Sequence, residues 1–218
     1  MQRTIRTLLA VGLLTGSVAA TALSQDAAKA NTTLLNATGP FEDMVEPAIA
    51  KDDKGVAKQL AAADKAADGI RKALPTDAAR RFDGLLQSIH KSADAKDGLA
   101  VARNAMVVFR LLVDNLKADI LKIPLEVNLM DYAGYQFLVL AAADTPDWDA
   151  MSKLAADADG WWKSIARKVT AVDLRGAINR TMVGLKQSAQ EKNLSMAKFA
   201  AHMDLDLVDV LEGTFTKK

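Results

Sequence analysis

The sequence predicts an all-α fold, a bundle or short array of about seven or eight antiparallel helices in a single domain. Three observations predict it. Helix-favouring Ala, Leu, Lys and Met are frequent from Phe41 onward, and β-branched runs are short. No segment alternates apolar and polar residues for long, so the period of a half-buried strand is missing. Turn signals recur at intervals that leave helical stretches of about 15 to 22 residues. A chain of 218 residues, half of them hydrophobic, is ample for a true core.

The opening residues read as an address. Arg3 and Arg6 stand without a nearby acid, residues 7–22 are apolar or small, and Ala20-Thr21-Ala22 and Ala22-Leu23-Ser24 offer cleavage sites. This is the pattern of a secretory signal peptide over residues 1–24. The stretch is too short and too rich in Gly, Ser and Thr for a span of about 20 apolar residues. Removing Arg3 and Arg6 leaves 26 basic against 27 acidic side chains. A periplasmic or secreted protein is therefore expected. Residues 25–40 are small and polar and read as a flexible leader, with the helical domain over 41–218.

The helix boundaries follow in order. Pro47 interrupts a first short helix, and Lys51-Asp52-Asp53-Lys54-Gly55 makes a turn. Pro75-Thr76-Asp77 ends one helix and starts the next, with Thr76 expected as cap. Residues 94–98 form another turn, and Pro124 divides two apolar segments. Thr145-Pro146-Asp147 predicts a start with Thr145 as cap and Pro146 at the first helical position. Residues 170–173 and 193–195 supply two more starts. A weak repeat accompanies the turns. Val56-Ala57-Lys58, Val101-Ala102-Arg103 and Met196-Ala197-Lys198 each follow a turn, with Ala150-Met151-Ser152-Lys153 in a similar place. Spacings of about 45 to 50 residues match a helical hairpin.

Composition removes several function classes. With 28 basic against 27 acidic residues, the chain lacks the basic surplus that nucleic-acid binding requires. The absence of Cys excludes disulfides, thiolate metal sites, iron–sulfur clusters and a Cys nucleophile. No Gly-x-Ser-x-Gly, phosphate-binding glycine loop or His-Glu-x-x-His occurs. After the signal no window is apolar enough for a membrane span; residues 125–143 come nearest but carry Glu126, Asn128 and Asp131.

Residues 126–143 are the most informative stretch. Leu129, Met130, Phe137, Val139, Leu140 and Ala141 spread around almost the whole helix, which predicts a central position. Asn128, Asp131 and Tyr135 form a polar stripe at i, i+3 and i+7, with Tyr132 beside it. Arg103 and Arg110 on the preceding helix share one face, and Arg110 has i,i+4 spacing to Asp114. Two readings stand side by side: a ligand pocket built on these polar residues, or a salt bridge from Asp131 to Arg103 or Arg110 that fixes helix register. Gly134 allows another helix to approach closely.

A second cluster lies on the last helix. Met196, Phe199, Met203, Leu207, Val210 and Leu211 are expected as its core stripe. His202, Asp206 and Asp209 then form a neighbouring stripe that, with His90, has the chemistry for a divalent metal, or else is a solvated face. Met44 with His202 has the ligand types for b-type haem. Trp148, Trp161 and Trp162 on one helix offer an aromatic wall or ordinary core packing.

The function expected from these features is that of an exported, non-catalytic helical binding or accessory protein. It would hold a small molecule or a partner's helix in a groove between helices near Asp131. A metal or b-type haem protein is the alternative, and an enzyme using Asp131 as general base is a third reading.

Overall fold

The computed structural model describes the backbone from Thr15 to Thr216 and the side chains from Gln25 onward. Most of the expected signal peptide lies outside the described residues. The fold is all-α, with no strand among the described residues. In chain order the helices are α1 (Thr15–Asn36), α2 (Gly39–Glu42), α3 (Val45–Ile49), α4 (Asp53–Ala73), α5 (Thr76–Asp94), α6 (Gly98–Asp114), α7 (Leu125–Ala141), α8 (Trp148–Ile165), α9 (Val172–Gln190) and α10 (Leu194–Thr216). Eight are long; α2 and α3 are single turns.

Residues 25–36, expected in a flexible leader, are the second half of α1. Leu34 is buried, and Asn31 is tied to the α6–α7 connection. The Asn31 side-chain amide donates to Lys117 O at 2.9 Å, and Lys117 N–H donates back to Asn31 Oδ1 at 2.8 Å. Composition missed this because the segment's order comes from partners more than eighty residues away, which local propensity does not contain.

Three turns share one construction. Lys51, Lys96 and Lys192 adopt left-handed backbone at φ 58°, 55° and 53°. The residue after each, Asp52, Asp97 or Asn193, donates its N–H to the carbonyl of Pro47, Ser92 or Ser188. Its side chain then accepts from Lys54, Ala100 or Met196 N–H at the start of the next helix. A helix C-terminus is thus closed and the following N-terminus capped within two residues. Asp147 caps α8 in the same way, accepting from Ala150. Two expected caps move. Thr76 is the first residue of α5 with Pro75 at the cap, and Asp147 replaces Thr145 because its carboxylate is the one within reach of the free N–H.

The weak sequence repeat has a structural counterpart of twice its period. Buried Val56, Leu60, Ala63, Ala67, Ile70 and Leu74 recur 95 positions later as buried Met151, Ala155, Ala158, Trp162, Ile165 and Val169. Phe82, Leu86 and Ile89 of α5 recur 96 positions later as Ile178, Met182 and Leu185 of α9. Val101, Ala105 and Leu112 of α6 recur as Ala197, Ala201 and Val208 of α10. At the same offset Leu34, Ala37 and Phe41 match Met130, Ala133 and Phe137 of α7. The counterpart of α7 is therefore the end of α1 with α2, interrupted where Pro40 enters the chain.

Packing follows that division. Helices α7, α8, α9 and α10 pack in sequence and close back on α7, a four-helix ring. The preceding helices form a matching layer in which α4, α5 and α6 pack in order and α6 packs against α3. Each half has its own apolar core, and α7 joins them by packing on α6. The chain is thus a compact pair of bundles, and α7 is central, as its apolar circumference predicts.

Helix α10 departs from expectation. Its buried face is Ala197, Ala200, Ala201, Asp204, Val208 and Leu211. Of the expected stripe only Leu211 is buried, and Phe199 and Val210 are 68% and 55% exposed. Close helix approach decides this. An ideal Cβ on Gly134 of α7 would lie 2.7 Å from Leu205 and 3.4 Å from the Ala201 carbonyl, and one on Gly184 of α9 would lie 3.5 Å from the Ala200 methyl. Backbones this near leave room for alanines but not for Phe or Met.

Candidate functional site

A cleft of about 660 Å³ opens between α1, α2, α7 and α10, within the usual range for small-molecule sites of roughly 300 to 1,000 Å³. Helix α7 supplies Asn128 and Asp131, α10 supplies Asp209 and Glu212, and α2 supplies Glu42. Leu35, Ile120 and Ile123 give it apolar wall, and exposed Lys122 is the one cationic side chain in the described lining.

Asp131 makes no hydrogen bond or ion pair with any described residue. Burial pushes its carboxyl well above the ordinary range, and Glu42, Glu212, Asp204 and Asp209 push it further by like charge. Burial likewise drives Glu42 up to about 7, with the Thr38 hydroxyl opposing and neighbouring carboxylates adding. Glu212 is raised by burial and by Asp209. The half-buried Tyr135 phenol is raised by burial and by the negative charge of Asp131 and Glu42. Near neutral pH the cleft therefore holds protons that exposed carboxyls would have lost.

Asp204 lies behind this group, 1% exposed, and neither carboxylate oxygen has a hydrogen-bond partner among the described residues. Burial alone drives it to about 8. An ionised carboxylate in that position would be strongly unfavourable, so the group is neutral at pH 7.

The predicted polar stripe is divided by the structure. Asn128 and Asp131 border the cleft, but neither Arg103 nor Arg110 reaches Asp131. Arg103 is exposed, and Arg110 pairs with Asp114 at 2.7 Å. The Arg110 guanidinium also lies over the rings of Tyr132 and Trp161, 5.3 and 5.7 Å from their centroids, while Phe109 stacks on Tyr132. Tyr132 belongs to this aromatic seam between α6, α7 and α8. The salt-bridge reading of Asp131 fails because a residue beside the seam on a helix wheel faces a different neighbour in the bundle.

The metal reading fails in the same way. His90 contacts Asp64 at 2.8 Å on the α4–α5 face, whereas His202 lies 3.6 Å from Glu46. Asp206 is exposed and Asp209 lines the cleft. No three acidic or histidine side chains among the described residues converge to hold a metal ion. Met44, considered for haem with His202, is fully enclosed in the apolar core, where its sulfur has no open side for a porphyrin. Trp162 is core, its indole N–H donating to Asn179 at 2.6 Å, which is the packing role of the two readings.

Glu42 and Glu212 escaped the sequence reading. The signal that finds them is the 96-residue offset. Glu42 stands at the position of Leu138, Asp131 at that of Leu35, Asp204 at that of Val108, Asp209 at that of Val113 and Glu212 at that of Leu116. Every acid of the group occupies a place where the other half has an aliphatic side chain. No helix among the described residues is long and apolar enough to cross a membrane. Comparison with protein-family models, with curated proteins and with solved structures finds no match.

Proposed function

We propose that this chain is an exported, non-catalytic binding protein that holds a small ligand in the cleft between α1, α2, α7 and α10. One observation carries the reading: Asp131, largely buried and without a partner among the described residues, borders a cleft of ligand size. An unpaired carboxyl in such a place is unfavourable for folding alone and is accounted for by a ligand group that pairs with it. The halves support the same conclusion, because the fold accepts leucine at the corresponding position. The basic and apolar opening of the chain supports export.

Native mass spectrometry on protein recovered from the periplasm of an expressing bacterium tests this. A stoichiometric extra mass, lost in the Asp131→Leu variant while the helical spectrum is kept, is the expected result. A bare chain that also shows no thermal shift with cationic, neutral or anionic small molecules overturns the proposal.

A further inference from the structure

Resting on that reading of the cleft, we infer that its ligand is an extended organic cation, an aliphatic amine with more than one ammonium group. Four carboxyl side chains, Glu42, Asp131, Asp209 and Glu212, border the cleft against the single cation, among the described residues, of exposed Lys122. An anionic ligand would face uncompensated like charge there. A neutral ligand would pair at most with the protonated Asp131 and would leave the other carboxyls without a cationic partner. A bare metal ion is disfavoured by spacing, since the carboxylates do not converge on one point. They are contributed by α2, α7 and both ends of one α10 turn, a distribution that suits charges spread along a flexible chain.

Within the group Asp131 stands apart, largely buried, without a partner among the described residues and bordering the cavity. A second observation is the contrast between halves. Leu138, Leu35, Val113 and Leu116 stand 96 positions from the four acids, so the acidic character belongs to one half alone. Aliphatic Leu35, Ile120 and Ile123 in the same lining suit the methylene segments between ammonium groups.

Binding of this kind is linked to protons. Charged groups near the carboxyls are Asp43 and Glu46 from the α2–α3 segment, Lys122 from the α6–α7 connection, and Asp204, Asp209 and Glu212 from α10; α1 contributes Asn31, Thr32 and Asn36 but no charge to the lining. Because Glu42 holds its proton to about pH 7 in the empty cleft, an arriving ammonium group displaces it. Affinity therefore rises as pH rises through 7, and the protons released equal the carboxyls newly ionised.

Isothermal titration of the exported protein with spermidine and with putrescine tests the inference. Saturable one-to-one binding is expected at pH 7.5 and at least tenfold weaker binding at pH 5.5, because Glu42 is then almost wholly protonated. Heats measured in two buffers of different ionisation enthalpy should report proton release. Asp131→Leu and Glu42→Leu should each abolish binding while retaining helicity and raising the thermal midpoint. Spermidine binding that survives both substitutions, or no saturable heat at pH 7.5, overturns the amine assignment. A neutral or anionic probe that binds in place of both amines, and is lost in Asp131→Leu, overturns it too but leaves the cleft as a ligand site. Silence from probes of every charge sinks the cleft reading with it.

Discussion

Leu35 and Asp131 stand 96 positions apart at matching places in the two halves of the chain, and both border the same cleft. One is an aliphatic wall; the other is a carboxyl with no partner. The pair separates what the repeated architecture requires from what one site adds. Glu42 with Leu138 and Glu212 with Leu116 repeat the contrast of acid with aliphatic at that offset, with Leu138 and Leu116 in the core rather than at the cleft.

Asp204 should act as a pH-dependent destabiliser. In the folded chain it keeps its proton up to about pH 8, whereas in the unfolded chain it ionises near the ordinary 3.8 of an exposed aspartate. Between those values the native state binds more protons than the unfolded one, so stability falls as pH rises from about 4 to about 8. Asp204→Val restores the aliphatic residue found at Val108. It should raise the thermal midpoint by about 5 to 10 °C at pH 8 and by little at pH 4. Scanning calorimetry at the two pH values checks this; an equal gain at both would refute the buried-carboxyl account.

Asn31 should be a structural clamp. Its amide satisfies both the N–H and the carbonyl of Lys117, which joins α1 to the connection leading into α7. Asn31→Ala leaves both backbone groups without that partner and should lower stability by about 1 to 3 kcal/mol. Urea unfolding followed by circular dichroism measures it. An unchanged midpoint would return residues 25–36 to the flexible leader that composition suggests.

Lys192 should be improvable. Its left-handed backbone carries a Cβ that glycine would not, and its N–H bonds to Ala189 and the following one to Ser188 whatever the side chain. Lys192→Gly should stabilise the protein by about 1 kcal/mol, the strain removed outweighing the added freedom of the unfolded chain. A lower unfolding midpoint would show that the lysine side chain contributes more than its backbone strain costs.

Much of the fold was legible in residue order. The breaks at Pro75, Pro124 and Asn193 and the central position of α7 follow from local chemistry, because caps, prolines and an apolar circumference act within a few residues. The face of α10 was not legible. Hydrophobicity favours Phe199 and Val210 as core, but Gly134 and Gly184 draw the neighbouring backbones so close that alanines fill the interface instead. Of the candidate site, Asn128 and Asp131 were visible as polar residues on an apolar helix. Glu42 and Glu212 were not, since each lies on an otherwise ordinary helix end.

The helical class, most turns, the central helix and the polar break within it can all be read from residue order. All of these depend on neighbours along the chain. Only the tertiary structure decided that Asp131 meets carboxylates rather than Arg103 or Arg110, that His90 and His202 lie apart, and that two matching bundles frame one acidic cleft. Those outcomes depend on which helix faces which, and that is set by the summed packing of both cores rather than by any one residue's preference.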